Sequence, residues 1–142
     1  MTSQRKQKIA SELSVVMTRI ARTIALSFSQ SYHQMPPAQI FAVLLLSEQP
    51  ICHFSDIVRQ LRVSAPTATG IIDRLEKQGF VERRHDTEDR RAVNVALTPA
   101  GRRLEAKIRR GVEQRWNMIL DVLTIEESET YLKIVKKIYE KL

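Results

Sequence analysis

The sequence is poor in features that would place the protein in a secreted or membrane-bound class. Its 142 residues contain one cysteine, Cys52, so an intramolecular disulfide is excluded and a reducing compartment is favoured. The longest apolar run, residues 40–46, is far shorter than the roughly 20 residues that span a bilayer. The N-terminal segment lacks the long apolar stretch of a signal peptide. We therefore expect a cytoplasmic protein without a membrane partner.

Patterns of the common catalytic and metal-binding sites are also missing. There is no Cys-x-x-Cys pair and no glycine-rich phosphate loop, and the three histidines, His33, His53 and His85, are scattered. No arrangement of serine, histidine and acid can be argued from their order alone. We expect no catalytic residue, no metal site and no cofactor, and hence no enzyme. A redox role for Cys52 stays open beside a buried, inert thiol, which we favour.

The chain is instead basic, with the apolar content of an ordinary folded domain. Hydrophobic residues make up 43% and charged residues 27%, which argues against disorder in a chain of this length. The net charge of +7 favours an anionic partner, with nucleic acid before an anionic membrane surface. Between residues 53 and 98, however, eight basic residues stand beside seven acidic ones. Charge alone therefore does not single out the middle of the chain.

The spacing of apolar residues changes period along the chain. A three- to four-residue period predicts helices near residues 11–32, 36–49, 55–61, 64–78, 99–122 and 124–142. A period of two predicts strands at residues 80–84 and 93–97, which form a hairpin with a long charged tip. The fold class is therefore mainly α with a small β-hairpin.

Side chains that favour helix ends stand at these boundaries. The expected N-caps are Ser55, Ser64, Thr98 and Thr124. Gly79 is placed to end the fourth helix as a C′ glycine, and Glu127 completes a capping box with Thr124.

The order helix, tight turn, helix, two-stranded hairpin in the middle of the chain describes a winged helix-turn-helix. In that arrangement the start of the fourth helix enters the DNA major groove, where small residues and hydroxyls allow close approach to bases and phosphates. The residues of that helix expected at DNA are Ser64, Ala65, Pro66, Thr67, Thr69, Arg74 and Lys77. The last two are expected to contact the sugar-phosphate backbone.

The hairpin tip is the second expected DNA contact. Arg91 is placed to enter the minor groove, where A·T-rich stretches concentrate negative potential. Asp89 is expected to hold the guanidinium of Arg91 by a charge-assisted contact. Arg90 and Arg84 are expected to face phosphates.

These motifs resemble those of MarR family transcription regulators. The family's wing pattern, D-x-R, five residues, then L-T, is matched by Asp89-Arg90-Arg91, "AVNVA" and Leu97-Thr98, and "VSAPTATGIIDRLEKQGFVERR" is similar to its recognition helix and first wing strand. The resemblance extends over nearly the whole chain. It implies major-groove contacts by residues 64–69 and minor-groove insertion by Arg91.

The resemblance also implies an obligate homodimer. Residues 1–34 and 99–142 would form the dimerisation region and residues 35–98 the DNA-binding region of one intertwined domain. The expected interface residues are Leu13, Leu120, Tyr131, Ile134, Val135, Ile138, Tyr139 and Leu142. Such a dimer would bind a pseudo-palindromic operator in double-stranded DNA, most simply as a repressor.

A small phenolic or anionic ligand is implied as the signal that relieves binding. The expected cleft residues are Arg22, Tyr32, His33 and Phe41.

Other interpretations of the same residues stay open at this point. A winged helix can be a protein-interaction module without DNA binding, and an apolar outer edge of the fourth helix would favour that function. The wing arginines could belong to a solvated turn, and residues 131–142 could pack within one subunit. The basic residues at 102–103 and 107–110 fit a plain exposed helix face as well as an extended phosphate-facing surface.

Overall fold

The computed structural model describes residues 2–32 and 35–142, without the side chains of residues 2 and 27–31. The elements in chain order are α1 (Thr2–Ser31), α2 (Pro37–Ser47), β1 (Cys52–His53), α3 (Phe54–Leu61), α4 (Ala65–Lys77), β2 (Val81–His85), β3 (Val93–Leu97), α5 (Pro99–Leu120) and α6 (Ile125–Tyr139). The prediction of a mainly helical chain with a β-hairpin between the fourth and fifth helices is confirmed. Within the described residues, no helix is both long and apolar enough to cross a bilayer.

One hydrophobic core lies among α2, α3, α4, the sheet and the middle of α5. Its largest fully buried side chains are Val43, Leu46, Ile57, Ile72, Leu75, Val95 and Ile108. Each comes from an apolar position of a helical or strand period, so the periodicity that predicts the elements also orients them. The core continues to Tyr32 at the end of the first helical segment.

The sheet has three strands, not the two of the expected hairpin. β1 pairs with β3 through Cys52↔Val95 and His53↔Asn94, and β3 pairs with β2, giving the order β1-β3-β2. A two-residue strand is too short to show a period of two, so only its partner forty residues later makes it recognisable. The third strand pairs with the middle of β3, on the edge away from β2, and leaves the tip free.

Three of the predicted boundaries are wrong. The first helix begins at Thr2 rather than near residue 11. α3 begins at Phe54 with His53 as N-cap. His53 is the last residue of β1, and its extended backbone is the conformation that an N-cap adopts. Ser55 therefore lies inside the helix. β2 begins at Val81 rather than Phe80, since the Phe80 N–H donates to the Leu75 carbonyl oxygen at 2.9 Å and closes the end of α4.

The other predicted caps are confirmed. Ser64 Oγ accepts the Thr67 N–H at 3.2 Å, and the Thr124–Glu127 capping box is complete. Gly79 has a φ of +80°, the left-handed conformation that glycine adopts without strain after a helix.

The start of α5 is fastened to the end of α4. Thr98 Oγ1 accepts the Gly101 N–H at 3.0 Å and donates to the Gly79 carbonyl oxygen at 2.6 Å, while the Thr98 N–H donates to the Phe80 carbonyl oxygen at 3.0 Å. A Cβ on Gly101 would lie 1.9 Å from that same Phe80 oxygen, so only glycine permits this approach. The joint therefore couples α5 rigidly to the α4–β2 turn.

The terminal helices α1 and α6 are largely exposed in the single chain. None of the 15 residues of α6 is buried against the described part of the chain. Apolar side chains of α1, including Leu13, Val16, Met17 and Ile20, are also exposed. An apolar stripe on each helix thus faces solvent in the single chain.

Candidate nucleic-acid interface

The two faces of α4 have opposite characters. Ala68, Ile71, Ile72 and Leu75 are buried against the core. All seven α4-region residues that the sequence predicts at DNA, defined here as the outer face of α4, are exposed: Ser64, Ala65, Pro66, Thr67, Thr69, Arg74 and Lys77. The helical period therefore presents hydroxyl, methyl and cationic groups together on the side away from the core.

Hydrogen bonds orient the hydroxyls at the start of α4. Ser64 Oγ lies 2.8 Å from Thr67 Oγ1, and Thr69 Oγ1 donates to the Ala65 carbonyl oxygen at 3.0 Å. Since a hydroxyl that has donated its proton keeps acceptor capacity, Thr69 can accept from a donor outside the protein. The hydroxyls and methyls at this helix end are thus fixed in place before any partner arrives.

The wing tip is held by two aspartates that bind the backbone. Asp86 Oδ1 accepts the Glu88 N–H at 2.9 Å, and Asp89 Oδ1 accepts the Arg91 N–H at 2.9 Å. The hydrogen bond from Glu88 holds the pKa of Asp86 below its usual range. The expected contact of Asp89 with the Arg91 guanidinium is therefore corrected: a short side chain at a turn reaches the backbone two residues on.

Arg90 and Arg91 are exposed at this tip, and among the described residues neither takes part in an ion pair. Two of the three nearby acids are engaged by backbone N–H groups, so the guanidiniums are the groups that the tip offers to an anion. Arg84 is also exposed, and it pairs with Glu82 of the same strand.

Arg83 is the contact that the sequence analysis missed. It reaches from β2 back to α4 and pairs with both Asp73 and Glu76, at 2.6 and 2.8 Å. The two acids are three residues apart and therefore lie on one side of α4. Their pairing with Arg83 could be predicted only if the wing were known to fold toward that side.

The expected ligand residues do not come together. Arg22 is exposed on α1, Phe41 is 62% exposed on α2, and His33 lies outside the described residues. Tyr32 is buried, and its hydroxyl donates to the Lys107 carbonyl oxygen at 3.2 Å. Tyr32 lines a cleft of about 380 Å³, whereas Phe41 lines a separate depression of about 510 Å³.

The cleft beside Tyr32 combines apolar walls with polar groups. Its lining comprises Tyr32, Met35, Pro36, Gln39, Gln78, Phe80, Leu104 and Lys107. Gln39 is 3% exposed, and its Oε1 has no hydrogen-bond partner among the described residues. A buried acceptor without a donor costs free energy, so a ligand that donates there would be favoured.

The expected dimer residues are accessible in the single chain. Those that are exposed are Leu13, Tyr131, Ile134, Val135, Ile138, Tyr139 and Leu142, and Leu120 is half-buried. Tyr131 contacts Trp116 of α5 with ring centroids 6.0 Å apart. Cys52 is buried, and burial raises the pKa of its thiol. In the described part of the chain, no three His, Cys, Asp or Glu side chains are grouped as metal ligands.

This fold and this arrangement define a winged helix-turn-helix protein. A model of the MarR family matches residues 35–93. The chain belongs to the MarR family.

Individual similarities agree with that assignment. The chain is 36% identical over 99 residues to an uncharacterised HTH-type transcriptional regulator, YfiV of Bacillus subtilis, which covers 67% of this chain and 59% of the relative. It is 26% identical over 120 residues to the homoprotocatechuate degradative operon repressor of Escherichia coli, covering 82% and 81%. The match to YfiV thus spans less than two thirds of that relative's length.

A solved structure extends the similarity to the whole fold. BpsR of Bordetella bronchiseptica, whose DNA binding is regulated by 6-hydroxynicotinic acid, superposes with a TM-score of 0.71 at 25% identity. The superposition covers 90% of this chain and 98% of that protein. The terminal helices therefore share the fold, in addition to the winged core that the family model matches.

Proposed function

We propose that the chain is a sequence-specific, double-stranded DNA-binding transcriptional regulator that acts in the cytoplasm as a dimeric repressor. One observation carries the proposal. The outer face of α4 and the two wing-tip arginines are all exposed, and both stand on one core that fixes them in place. A repressor and a regulator with DNA-binding activity among the similar proteins support it.

In this proposal α4 is the recognition helix. Ser64, Thr67 and Thr69 approach base edges in the major groove, and Arg74 and Lys77 bind phosphates on either side. Arg91 enters the adjacent minor groove, where it adds contacts that depend on groove width.

The polar outer face of α4 disfavours the rival function of a protein-interaction module. Such a module needs an apolar edge to bury against its partner, as at the centre of protein interfaces. The outer face of α4 instead carries hydroxyls and cations beside Ala65 and Pro66, which suits phosphate and base recognition. The exposed acids of the helix, Asp73 and Glu76, pair with Arg83.

A second copy of the chain is proposed to cover the terminal helices. An isolated helix of about 12–15 residues is marginally stable in water, so α6 needs a surface against its apolar stripe. Tyr131, Ile134, Val135 and Ile138 are exposed in the single chain and would pack against the partner. A dimer of this kind sets two recognition helices about 10 bp apart on a pseudo-palindromic operator.

We propose the cleft beside Tyr32, rather than the depression beside Phe41, as the place of a small aromatic ligand. It lies against the joint between α5 and the α4–β2 turn, through Phe80 and Leu104. A ligand that prefers one position of this joint would shift the spacing of the two recognition helices, and with it DNA affinity. The ammonium of Lys107 and the Oε1 of Gln39 suit an acidic ring that also carries a hydrogen-bond donor.

Selection of bound fragments from random double-stranded DNA tests the function. We expect a recurrent site with two inverted half-sites about one helical turn apart, and an affinity that falls with salt as several phosphate contacts require. Recovery of unrelated fragments with equal affinity would reject sequence-specific regulation.

A panel of aromatic acids tests the ligand. We expect at least one to weaken binding to the selected site, and Gln39→Leu to reduce that response more than Phe41→Ala does. Equal loss from both variants would place the ligand elsewhere.

A further inference from the structure

Arg83 forms the densest side-chain link between the wing and α4. Its Nη2 lies 2.6 Å from Asp73 Oδ1, its Nη1 lies 2.8 Å from Glu76 Oε1, and its backbone N–H donates to Glu76 Oε2 at 3.2 Å. The Arg83 side chain is 27% exposed, whereas Asp73 and Glu76 are 57% and 43% exposed, so the guanidinium is the less hydrated side of the contact. One residue of β2 thus contacts two residues of the helix through three hydrogen bonds.

The chemistry of this contact is specific to arginine. A guanidinium offers several donors in a rigid plane, which lets one side chain serve two carboxylates and fixes its own direction. Lysine would keep the charge, but it is a flexible point charge without that fork. Arg84, the next residue, pairs with Glu82 inside its own strand, so this ion pair does not link the wing to the helix.

Arg83 contacts α4 from a position farther along the wing than its base. At the base of the wing, the Phe80 N–H already joins the chain to Leu75 at the end of α4. Arg83 adds a second attachment farther along β2, opposite Val95 of β3. The strand is already held at Val81 and by its pairing with β3, whose Val95 is buried in the core. Two polar attachments at different points of β2 further define its angle to the helix.

From this geometry we infer that Arg83 is a positioning residue, which sets the angle between α4 and the wing so that both grooves are engaged in one register. The inference rests on the proposed function, because the angle matters only where α4 and Arg91 bind the same duplex. Arg83 acts through Arg91: with the clamp intact, the wing tip meets the minor groove at a defined distance from the bases that α4 contacts.

A merely stabilising role is distinguishable from this one. A variant that only lowers the fraction of folded protein weakens binding to every DNA sequence by the same factor, so relative base preferences stay unchanged. A variant that frees the wing loses preference at the flanking minor-groove positions and keeps it at the major-groove positions.

The experiment is therefore fragment selection with Arg83→Lys, which keeps the charge and removes the fork. We expect preference at the flanking positions to fall about three- to tenfold, as for other coupled contacts, and preference within the half-sites to persist. Glu76→Gln opens the same clamp from the helix side and should flatten the same positions. Either variant suffices if the other fails to fold.

A double variant tests whether Arg83 acts through the wing tip. Arg91→Ala should flatten the flanking positions, and adding Arg83→Lys to it should change their preference no further, because the contact being positioned is already gone. Additive loss would show that Arg83 touches DNA or supports α4 independently, and would overturn the inference.

Arg109→Gln is the matched control. Arg109 pairs with Glu105 on α5, so its replacement removes a cation and an ion pair away from the clamp. It should leave the flanking preference as in the parent chain. An unchanged preference in Arg83→Lys and Glu76→Gln, with a parent chain that selects a clear site, overturns the inference and leaves the proposed function standing. A parent chain that selects no site overturns both.

Discussion

The winged core and the terminal helices bury their apolar residues in different ways. In the core, Ile57, Ile72, Leu75 and Val95 are fully buried by elements of the same chain. In α6, apolar side chains recur just as regularly, but none is buried against the described residues. A single copy of the chain therefore buries the apolar residues of the region proposed to bind DNA, but leaves those of the region proposed to form the dimer exposed.

The two regions are expected to be stabilised in different ways. The core is expected to unfold cooperatively with a free energy that is independent of concentration. The terminal helices are expected to gain theirs from association, so their stability should rise with protein concentration. The joint at Thr98 fastens the start of α5, whose middle is part of the core, to the α4–β2 turn.

The largest effect is expected from a truncation in the core. Leu75→Ala removes a fully buried side chain and should lower the free energy of unfolding by about 2–5 kcal/mol, measured in urea. Val122→Ala, at an exposed position beyond α5, is the control and should change it by less than about 0.5 kcal/mol. Similar losses from both would mean that the core does not carry the stability.

The next effect concerns association. Ile138→Asp places a charge in the exposed stripe of α6 and should weaken dimerisation by at least about 2 kcal/mol, seen by analytical ultracentrifugation at micromolar concentration. Lys136→Ala, on the polar side of the same helix, should leave the dimer intact. A parent chain that sediments as a monomer would contradict the expectation that a second copy covers the terminal helices.

Loss of the wing arginine should affect DNA binding alone. Arg91→Ala is expected to weaken binding to the selected site by about 1–3 kcal/mol in a gel-shift titration, without dissociating the dimer. Lys133→Ala removes the same charge from an exposed position of α6, outside every expected DNA contact, and serves as the control. Equal affinity of Arg91→Ala and the parent chain would remove the wing from the mechanism.

A pair of helix caps compares the two regions directly. Thr98→Ala loses a cap and the hydrogen bond to Gly79 and should cost about 1–2 kcal/mol, whatever the protein concentration. Thr124→Ala loses the cap of α6, and its cost of about 1 kcal/mol or less should appear only where the dimer forms. Thermal unfolding at two protein concentrations separates these outcomes, and a concentration-dependent effect of Thr98→Ala would contradict them.

The smallest effect is a dependence on alkaline pH. Because burial raises the pKa of Cys52, the folded chain keeps the thiol proton to higher pH than the unfolded chain, whose thiol has the ordinary pKa of about 9. The corresponding stability is complete below the unfolded pKa and is lost as pH rises through the folded one. Between about pH 8 and 10, the free energy of unfolding in urea should therefore fall less for Cys52→Ala than for the parent chain. Equal dependence of that free energy on pH in both chains would contradict this.

Much of the fold could be predicted because its signals are local. The six helices, both hairpin strands, the caps at Ser64, Thr98 and Thr124 and the glycine after α4 follow from spacing and from side chains that bind nearby backbone groups. Two of the errors were non-local. β1 exists because β3 pairs with it, and the N-cap of α3 moved to His53 because that strand runs directly into the helix.

The candidate site divides in the same way. The outer face of α4 is predictable because a helical period decides which side is exposed, and a residue's exposure at a hairpin tip follows from the hairpin. The clamp from Arg83 to Asp73 and Glu76 was not predictable, since it depends on the angle at which the wing leaves the helix. The division into residues 1–34 with 99–142 and residues 35–98, and the role of each site residue, stay predictions.

Sequence by itself determined the elements, the polarity of each face and the family, because these depend on contacts between residues close in the chain or on the order of short motifs. Tertiary structure alone decided which distant groups meet: the third strand, the Thr98 joint, the cleft beside Tyr32 and the Arg83 clamp. The physical reason is that such contacts form only after several elements have packed together, and their geometry is a property of the packed whole.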